Sequence, residues 1–135
     1  MSRFDGPHFD KEDSDIVSIW ASKVPNQEIP EDYFTENYSE DEEEPFNQFS
    51  SDFGFGYYDH DAAENARDYG VTNEQKLMYA SYGKSFCKEA SLACDIQSVG
   101  TFYLMYDFIY DPKVTRINEN KLFKFIGCFK FDKSM

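Results

Sequence analysis

Phe102-Tyr103-Leu104-Met105-Tyr106-Asp107-Phe108-Ile109-Tyr110 is the stretch that decides the fold. Its first five residues are all apolar or aromatic, and such a run reads as a strand buried on both faces. It then alternates, with Tyr106, Phe108 and Tyr110 on one side and Asp107 and Ile109 on the other. Gly100 before it and Asp111-Pro112-Lys113 after it supply turn chemistry at both ends. A second strand is predicted over Leu122–Phe131, where Phe123, Phe125, Phe129 and Phe131 are expected to share one face, with Gly127 between them. Residues Val114–Ile117 are expected to form the return leg of a hairpin from the first strand. This reading puts the C-terminal third at the centre of an antiparallel sheet.

Working outward, Asp15–Ser22 is a third short strand, with Ile16, Ser18 and Trp20 facing one way and Val17, Ile19 and Ala21 the other. Ser85 is expected to cap a helix over Phe86–Gln97 that lies across the last two strands. A shorter helix is predicted over Asn73–Tyr79, with Thr72 or Asn73 as its cap. Pro30 suits the first turn of another, with Glu31 and Asp32 favourable at its N-terminus and Tyr33, Phe34 and Tyr38 as its buried stripe. Phe46, Phe49 and Phe53 fall on one face of a helix that starts after Pro45, and Gly54 is its C-terminal stop. Val24–Ile29 is a connector, Phe55–Tyr58 a short extended segment and Asp59–Asp61 a loop. Ala62–Tyr69 suits either a helix or an edge strand. Residues 1–14 lack periodicity and are expected to be a flexible acidic tail, leaving 15–135 as one domain. The fold class that follows is α+β, a single domain with a mostly antiparallel sheet of four to five strands and helices packed on one face.

A chain of 135 residues is long enough to bury a core, and with 19% aromatic residues most of the rings must go inside. No apolar run approaches the length of a membrane span, and the first residues lack a signal-peptide pattern, so a cytoplasmic protein is expected. Cys87, Cys94 and Cys128 match no zinc spacing and no even disulfide set. Charge is the most telling bulk property. Residues 1–66 carry 18 Asp/Glu against 3 Lys/Arg, while residues 67–135 carry 8 against 10. Between Lys23 and Arg67 there are 13 acids and no base. That balance argues against nucleic-acid binding, which needs Lys and Arg at phosphates. It suits either simple solubility or rapid encounter with a basic protein.

Catalytic patterns are scarce. Gly54-Phe55-Gly56 lacks the rest of a phosphate loop, and no serine sits in a Gly-x-Ser-x-Gly elbow. Asp59-His60-Asp61, with Asp52 nearby, is a weak candidate for a metal-dependent hydrolase, and a surface loop is the plainer reading. Cys128 is read as a buried, inert thiol among phenylalanines. No enzyme, no cofactor and no metal are expected. What remains is an acidic, aromatic-rich face. Tyrosines beside carboxylates suit a protein interface, in which rings anchor and acids pair with a partner's Lys or Arg. The expected partner-binding residues are Glu40, Asp41, Glu42, Glu43 and Glu44, a solvated run, together with Asp52, Tyr57, Tyr58, Asp59 and Asp61. The phenylalanines of the same segment read as core.

Five stretches, in order, resemble a known family. They are Val-Ser-Ile-Trp at 17–20, the Pro-Phe-Asn-Gln-Phe…Tyr-Tyr-Asp-His-Asp segment at 45–61, Tyr-Gly-Lys-Ser-Phe at 82–86, the strand at 102–111 and Leu-Phe-Lys-Phe-Ile-Gly-Cys-Phe at 122–129. Their order and spacing are similar to those of the immunity protein 22 family of bacterial polymorphic toxin systems, over roughly residues 15–131. The resemblance implies a small intracellular α+β protein that binds and neutralises a cognate toxin, and it brings no catalytic residues. Many such toxins are nucleases with basic surfaces, to which an acidic inhibitor would be complementary. An adaptor without a toxin partner is the other non-enzymatic reading.

Overall fold

The computed structural model describes residues 7–37, 45–66, 72–97 and 99–134. Four strands form one sheet: β1 (Ile16–Ser22), β2 (Ala63–Ala66), β3 (Phe102–Tyr106) and β4 (Phe123–Lys130). Their order is β2-β3-β1-β4, and each neighbouring pair is antiparallel. Four short helices join them: α1 (Gln48–Asp52), α2 (Asn73–Met78), α3 (Cys87–Ala93) and α4 (Pro112–Thr115). The α+β architecture expected from the sequence is therefore present; within the ambiguous stretch Ala63–Ala66 is an edge strand, and residues 67–69 lie outside the described residues.

The sheet is centred differently from the expectation. β3 and β4 do not pair, because β1 lies between them. The expected hairpin leg over 114–117 is instead the turn of helix α4 and the residues after it. Asp111 caps that helix by accepting from Lys113 N at 2.9 Å, and Pro112 sits in its first turn. An Asp-Pro pair in these positions favours a helix start over continued strand.

Two irregularities flip the side-chain phase. At the end of β3, Asp107 is left-handed, with φ of 53°. Tyr106 consequently packs with one core, while Phe108 and Tyr110 pack with the other. In β4, Ile19 pairs with Gly127 and Trp20 with Phe125, so Ile126 is an extra residue beside Gly127, whose φ is 144°. Such a bulge moves the following side chains to the opposite face. The phenylalanines of β4 are thus split, with Phe123 and Phe125 on one face and Phe129 and Phe131 on the other.

One face of the sheet presents Val17, Ile19, Ala21, Phe102 and Leu104 to α2 and α3, which contribute Leu77, Cys87 and Ala90, and to Phe86 just before α3. Thr72 caps α2 with a full capping box, its side chain accepting from Gln75 N at 3.1 Å. Ser85 does not cap α3. Its hydroxyl donates to the Tyr82 carbonyl at 2.6 Å and accepts from Asp132 N at 2.9 Å, inside a 3-10 turn over Gly83–Ser85. The helix starts one residue later than expected and ends at Ala93 instead of Gln97.

The other face is covered by residues 29–37 and 45–58, which hold little regular structure. Trp20, Tyr103, Met105, Phe108, Tyr110, Phe123 and Phe125 from the sheet side meet Tyr33, Phe46, Phe49, Phe53, Phe55 and Tyr58. The expected helix after Pro30 is only a turn, closed by Tyr33 N donating to the Pro30 carbonyl at 3.1 Å, yet Tyr33 and Phe34 still pack inward. Tyr38 lies outside the described residues. The helix expected over 46–53 is α1, which begins after Asn47 because the Asn47 side chain accepts from Ser50 N at 2.8 Å. The N-terminal segment also joins this core. Phe9 stands edge-on to Phe55, Phe108 and Tyr110, and Ile109 N donates to the Phe9 carbonyl at 2.9 Å.

Candidate functional site

The acids gather where β3 ends. Asp107 turns the chain there, and its side chain and backbone tie in both the N-terminal segment and the residues after β4. Oδ1 accepts from Asp15 N at 2.9 Å, the carbonyl accepts from Lys11 N at 2.8 Å, and Oδ2 lies 3.9 Å from Lys133 Nζ. Two grooves meet at this point and share Ala62, Tyr106 and Asp107 in their walls. The first, of about 480 Å³, opens toward the α2 side and is walled by Asp61, Glu64, Tyr82, Tyr106 and Phe131. The second, of about 360 Å³, opens toward Tyr57 and is rimmed by Asp10, Glu12 and Asp59.

Of the ten expected partner-binding residues, three come to this place. Tyr57 is 43% exposed, with its ring edge-on to Phe46. Asp59 caps the 3-10 turn over His60–Ala62 by accepting from Asp61 N at 3.0 Å, and both carboxylates are exposed. Two others go elsewhere. Tyr58 is fully buried, its hydroxyl 2.7 Å from both Asn47 Nδ2 and Tyr103 Oη, and burial pushes that hydroxyl up to about 12. Asp52 is taken up inside the fold, accepting from Tyr33 Oη at 2.9 Å, Asn120 Nδ2 at 3.0 Å and Gln48 Nε2 at 2.8 Å. Glu40, Asp41, Glu42, Glu43 and Glu44 lie outside the described residues.

Four acids of the site were missed in the sequence: Asp10, Glu12, Glu64 and Asp107. The first two lie in what read as tail, and Glu64 lies in the ambiguous stretch. Asp107 did carry a signal, as the single charge inside the nine-residue apolar run. The site has its own electrostatic strain. Burial raises the Asp10 carboxyl above the usual aspartate range, a backbone hydrogen bond from Asp59 lowers it, and the nearby Asp59 charge raises it further. Burial also raises the Tyr106 hydroxyl, which lies 3.1 Å from Glu64 Oε2 and 2.7 Å from the Ser81 carbonyl. Its one proton serves two acceptors, so Tyr106 stays a neutral donor.

The alternative centre at Asp59-His60-Asp61 has a different geometry from a ligand set. The ring of His60 turns away from both aspartates, with Nδ1 3.1 Å from Glu36 Oε1 and Nε2 3.1 Å from the Phe34 carbonyl. Among the described residues, no group of three His, Cys, Asp or Glu side chains is placed to hold a metal ion. Cys128 is exposed on edge strand β4, not buried among phenylalanines as expected; the bulge sets it opposite Ser18, near the open edge of the sheet. Its Sγ lies 3.2 Å from Ser18 Oγ, and desolvation of the sulfur raises the thiol, which disfavours the thiolate.

Among the described residues, no helix is long and apolar enough to cross a membrane. No curated protein and no solved structure matches the chain. A family profile does match, over residues 17–132, which takes in all four strands, all four helices and most of both grooves. Its description is Immunity protein 22, which supports an immunity role. The chain belongs to the Immunity protein 22 family.

Proposed function

We propose that this immunity protein acts in the cytoplasm as a non-enzymatic inhibitor that binds a cognate toxin domain through the acidic groove face at the end of β3. The observation that carries this reading is the convergence of Asp10, Glu12, Asp59, Asp61, Glu64 and Asp107 on two joined grooves, drawn from three separate stretches of chain. Tyr57 and Tyr106 give that face amphipathic rings, and rings beside carboxylates suit a partner rich in lysine and arginine. A nuclease is the favoured toxin class, because its phosphate-binding surface has that charge. The acidic run Glu40–Glu44 adds to the negative charge of the chain, which speeds encounter with a basic partner.

The test uses the toxin domain encoded beside the gene for this chain. Its binding is measured at low and high salt for the wild type and for Asp59→Asn with Asp61→Asn. The expected result is binding that weakens with salt and association that slows in the double variant. If both proteins bind equally and salt has no effect, the acids serve solubility and the interface lies elsewhere.

A further inference from the structure

The grooves are not bare. Among the described residues that line the two of them, Lys133 is the sole cation. Its Nζ stands 3.3 Å from Asp15 Oδ1, 3.9 Å from Asp13 Oδ1 and 3.9 Å from Asp107 Oδ2. The same ammonium lies 5.9 Å above the ring of Phe131. Phe131 is packed with Tyr82, stacked at 5.3 Å, and with Tyr106, edge-on at 5.1 Å, so an aromatic wall backs the carboxylates. A cation placed over a ring and among acids is held by two kinds of attraction at once.

Lys133 is weakly committed to this place. It follows the last residue of β4 by three positions, and its side chain is 48% exposed. An exposed ion pair of this kind contributes little stability. Its removal would nevertheless leave Asp13, Asp15 and Asp107 facing one another uncompensated.

We infer that Lys133 is a tethered stand-in for a basic side chain of the partner, and that binding displaces it from the mouth of the aromatic-walled groove. The inference rests on the toxin-binding reading above and adds the partner's chemistry at one point: an arginine or lysine that takes over the carboxylates and the Phe131 ring. An arginine suits the place better, because its planar fork can pair with a carboxylate while it lies against a ring. The carboxylates complement such a cation in charge, and a cation of this chain already sits there. Lys133 then acts as an internal competitor that keeps the acids neutralised until the partner arrives.

The test compares wild type, Lys133→Met and Asp107→Asn in binding to the adjacent-gene toxin domain, with thermal melting to check each fold. Lys133→Met removes the competitor and keeps the aliphatic stem. It is expected to bind about fivefold more tightly, the scale of one exposed ion pair, with a steeper salt dependence. Asp107→Asn is expected to weaken binding. If Lys133→Met binds more weakly or unchanged while Asp107→Asn weakens binding, the grooves are the interface but Lys133 is not a competitor, and the inference falls alone. If neither variant alters affinity, the toxin-binding reading of the grooves falls with it. Should Asp107→Asn melt early, Glu64→Gln at the same groove replaces it, with the same expected weakening.

Discussion

The two faces of the sheet are built in different ways. The helix-covered face lies under regular backbone and mixes small side chains, Ala66, Ala80, Cys87 and Ala90, with Val17, Ile19, Leu104 and a few rings, Phe86, Phe102 and Phe131. The other face is covered by irregular chain and fills its space with rings. Trp20 alone meets Phe49, Phe53, Phe108, Tyr110 and Phe125, at centroid distances from 5.0 to 6.5 Å. Helices satisfy their own backbone, so the first face needs few polar side chains. Irregular chain does not, and tyrosine hydroxyls do that work on the second face. The Tyr110 hydroxyl reaches the Phe53 carbonyl at 2.9 Å, Thr115 Oγ1 at 2.6 Å and the Ile117 carbonyl at 2.7 Å. A ring with a polar tip therefore replaces regular structure as the means of burying loop backbone.

The largest expected effect tests whether the ring-filled face dominates stability. Trp20→Ala should cost about 4 kcal/mol, and Leu104→Ala on the helix face about 3 kcal/mol, read by urea denaturation. Trp20→Phe should cost well under half the alanine change. The indole Nε1 is buried with no hydrogen-bond partner among the described residues, so phenylalanine removes an unsatisfied donor along with the lost contacts. If Leu104→Ala proves the more damaging, the contrast between the faces is wrong.

Next in size is a backbone test of the helix face. A Cβ at Gly83 would stand 2.0 Å from the Leu77 carbonyl oxygen and 2.7 Å from that of Met78. Those are backbone atoms at the end of α2 and cannot step aside. Gly83→Ala should therefore cost about 3 kcal/mol or more. On the ring-filled face, by contrast, a Cβ at Gly54 would meet side chains, those of Ile117 and Thr115, at 3.2 Å. Its positive φ of 79° still makes Gly54→Ala costly, by about 1 kcal/mol.

The third test is alkaline pH, which should act mainly on the ring-filled face. Burial holds Tyr58 at about 12 against an ordinary 10.0, and raises Tyr33 and Tyr103 as well. A raised folded-state value means that the folded protein keeps its proton after the unfolded chain has lost it. This stabilisation is complete below pH 10 and is lost as pH climbs from 10 through 12. Each such tyrosine removes about 1.4 kcal/mol per pH unit within that window. Tyr58→Phe should flatten the pH dependence of stability over that range, and unchanged steepness would show that the hydroxyl pair with Tyr103 is not what titrates.

Much of this contrast was legible in the sequence, and its limits are physical. The apolar run at 102–106 and the alternation at 16–21 announced strands, because their periods are local. Strand order was not announced, since nothing within β3 or β4 says that β1 slots between them. The phase flips at Asp107 and Ile126 escaped because a left-handed residue or a bulge leaves the hydrophobic pattern almost intact while turning every later side chain over. The site was half legible for a related reason. Tyr57, Asp59 and Asp61 are adjacent in sequence and stay together, whereas Asp10, Glu64 and Asp107 meet only through the sheet. Tyr58 was lost to the core because its neighbours in sequence gave no sign that Asn47 and Tyr103 would take its hydroxyl.

The smallest expected effect on stability carries the sharpest contrast between scaffold and surface. Asp59 and Asp61 are exposed, and a local bond runs from Asp61 N to Asp59 Oδ1 at 3.0 Å. Asn at 59 keeps an acceptor for that bond, so Asp59→Asn with Asp61→Asn should change folding stability by less than about 0.5 kcal/mol. The change at Asp59 also relieves repulsion with Asp10, whose carboxyl the Asp59 charge helps to raise, and that relief offsets part of any loss. For toxin association the same variant should be severalfold slower at low salt and close to wild type at high salt, because rim charges act through a field that salt screens. Stopped-flow association at two ionic strengths, paired with urea denaturation, separates the two outcomes. A variant that loses stability but associates normally would assign these acids to the scaffold. Unchanged stability with slowed, salt-sensitive association would assign them to the partner.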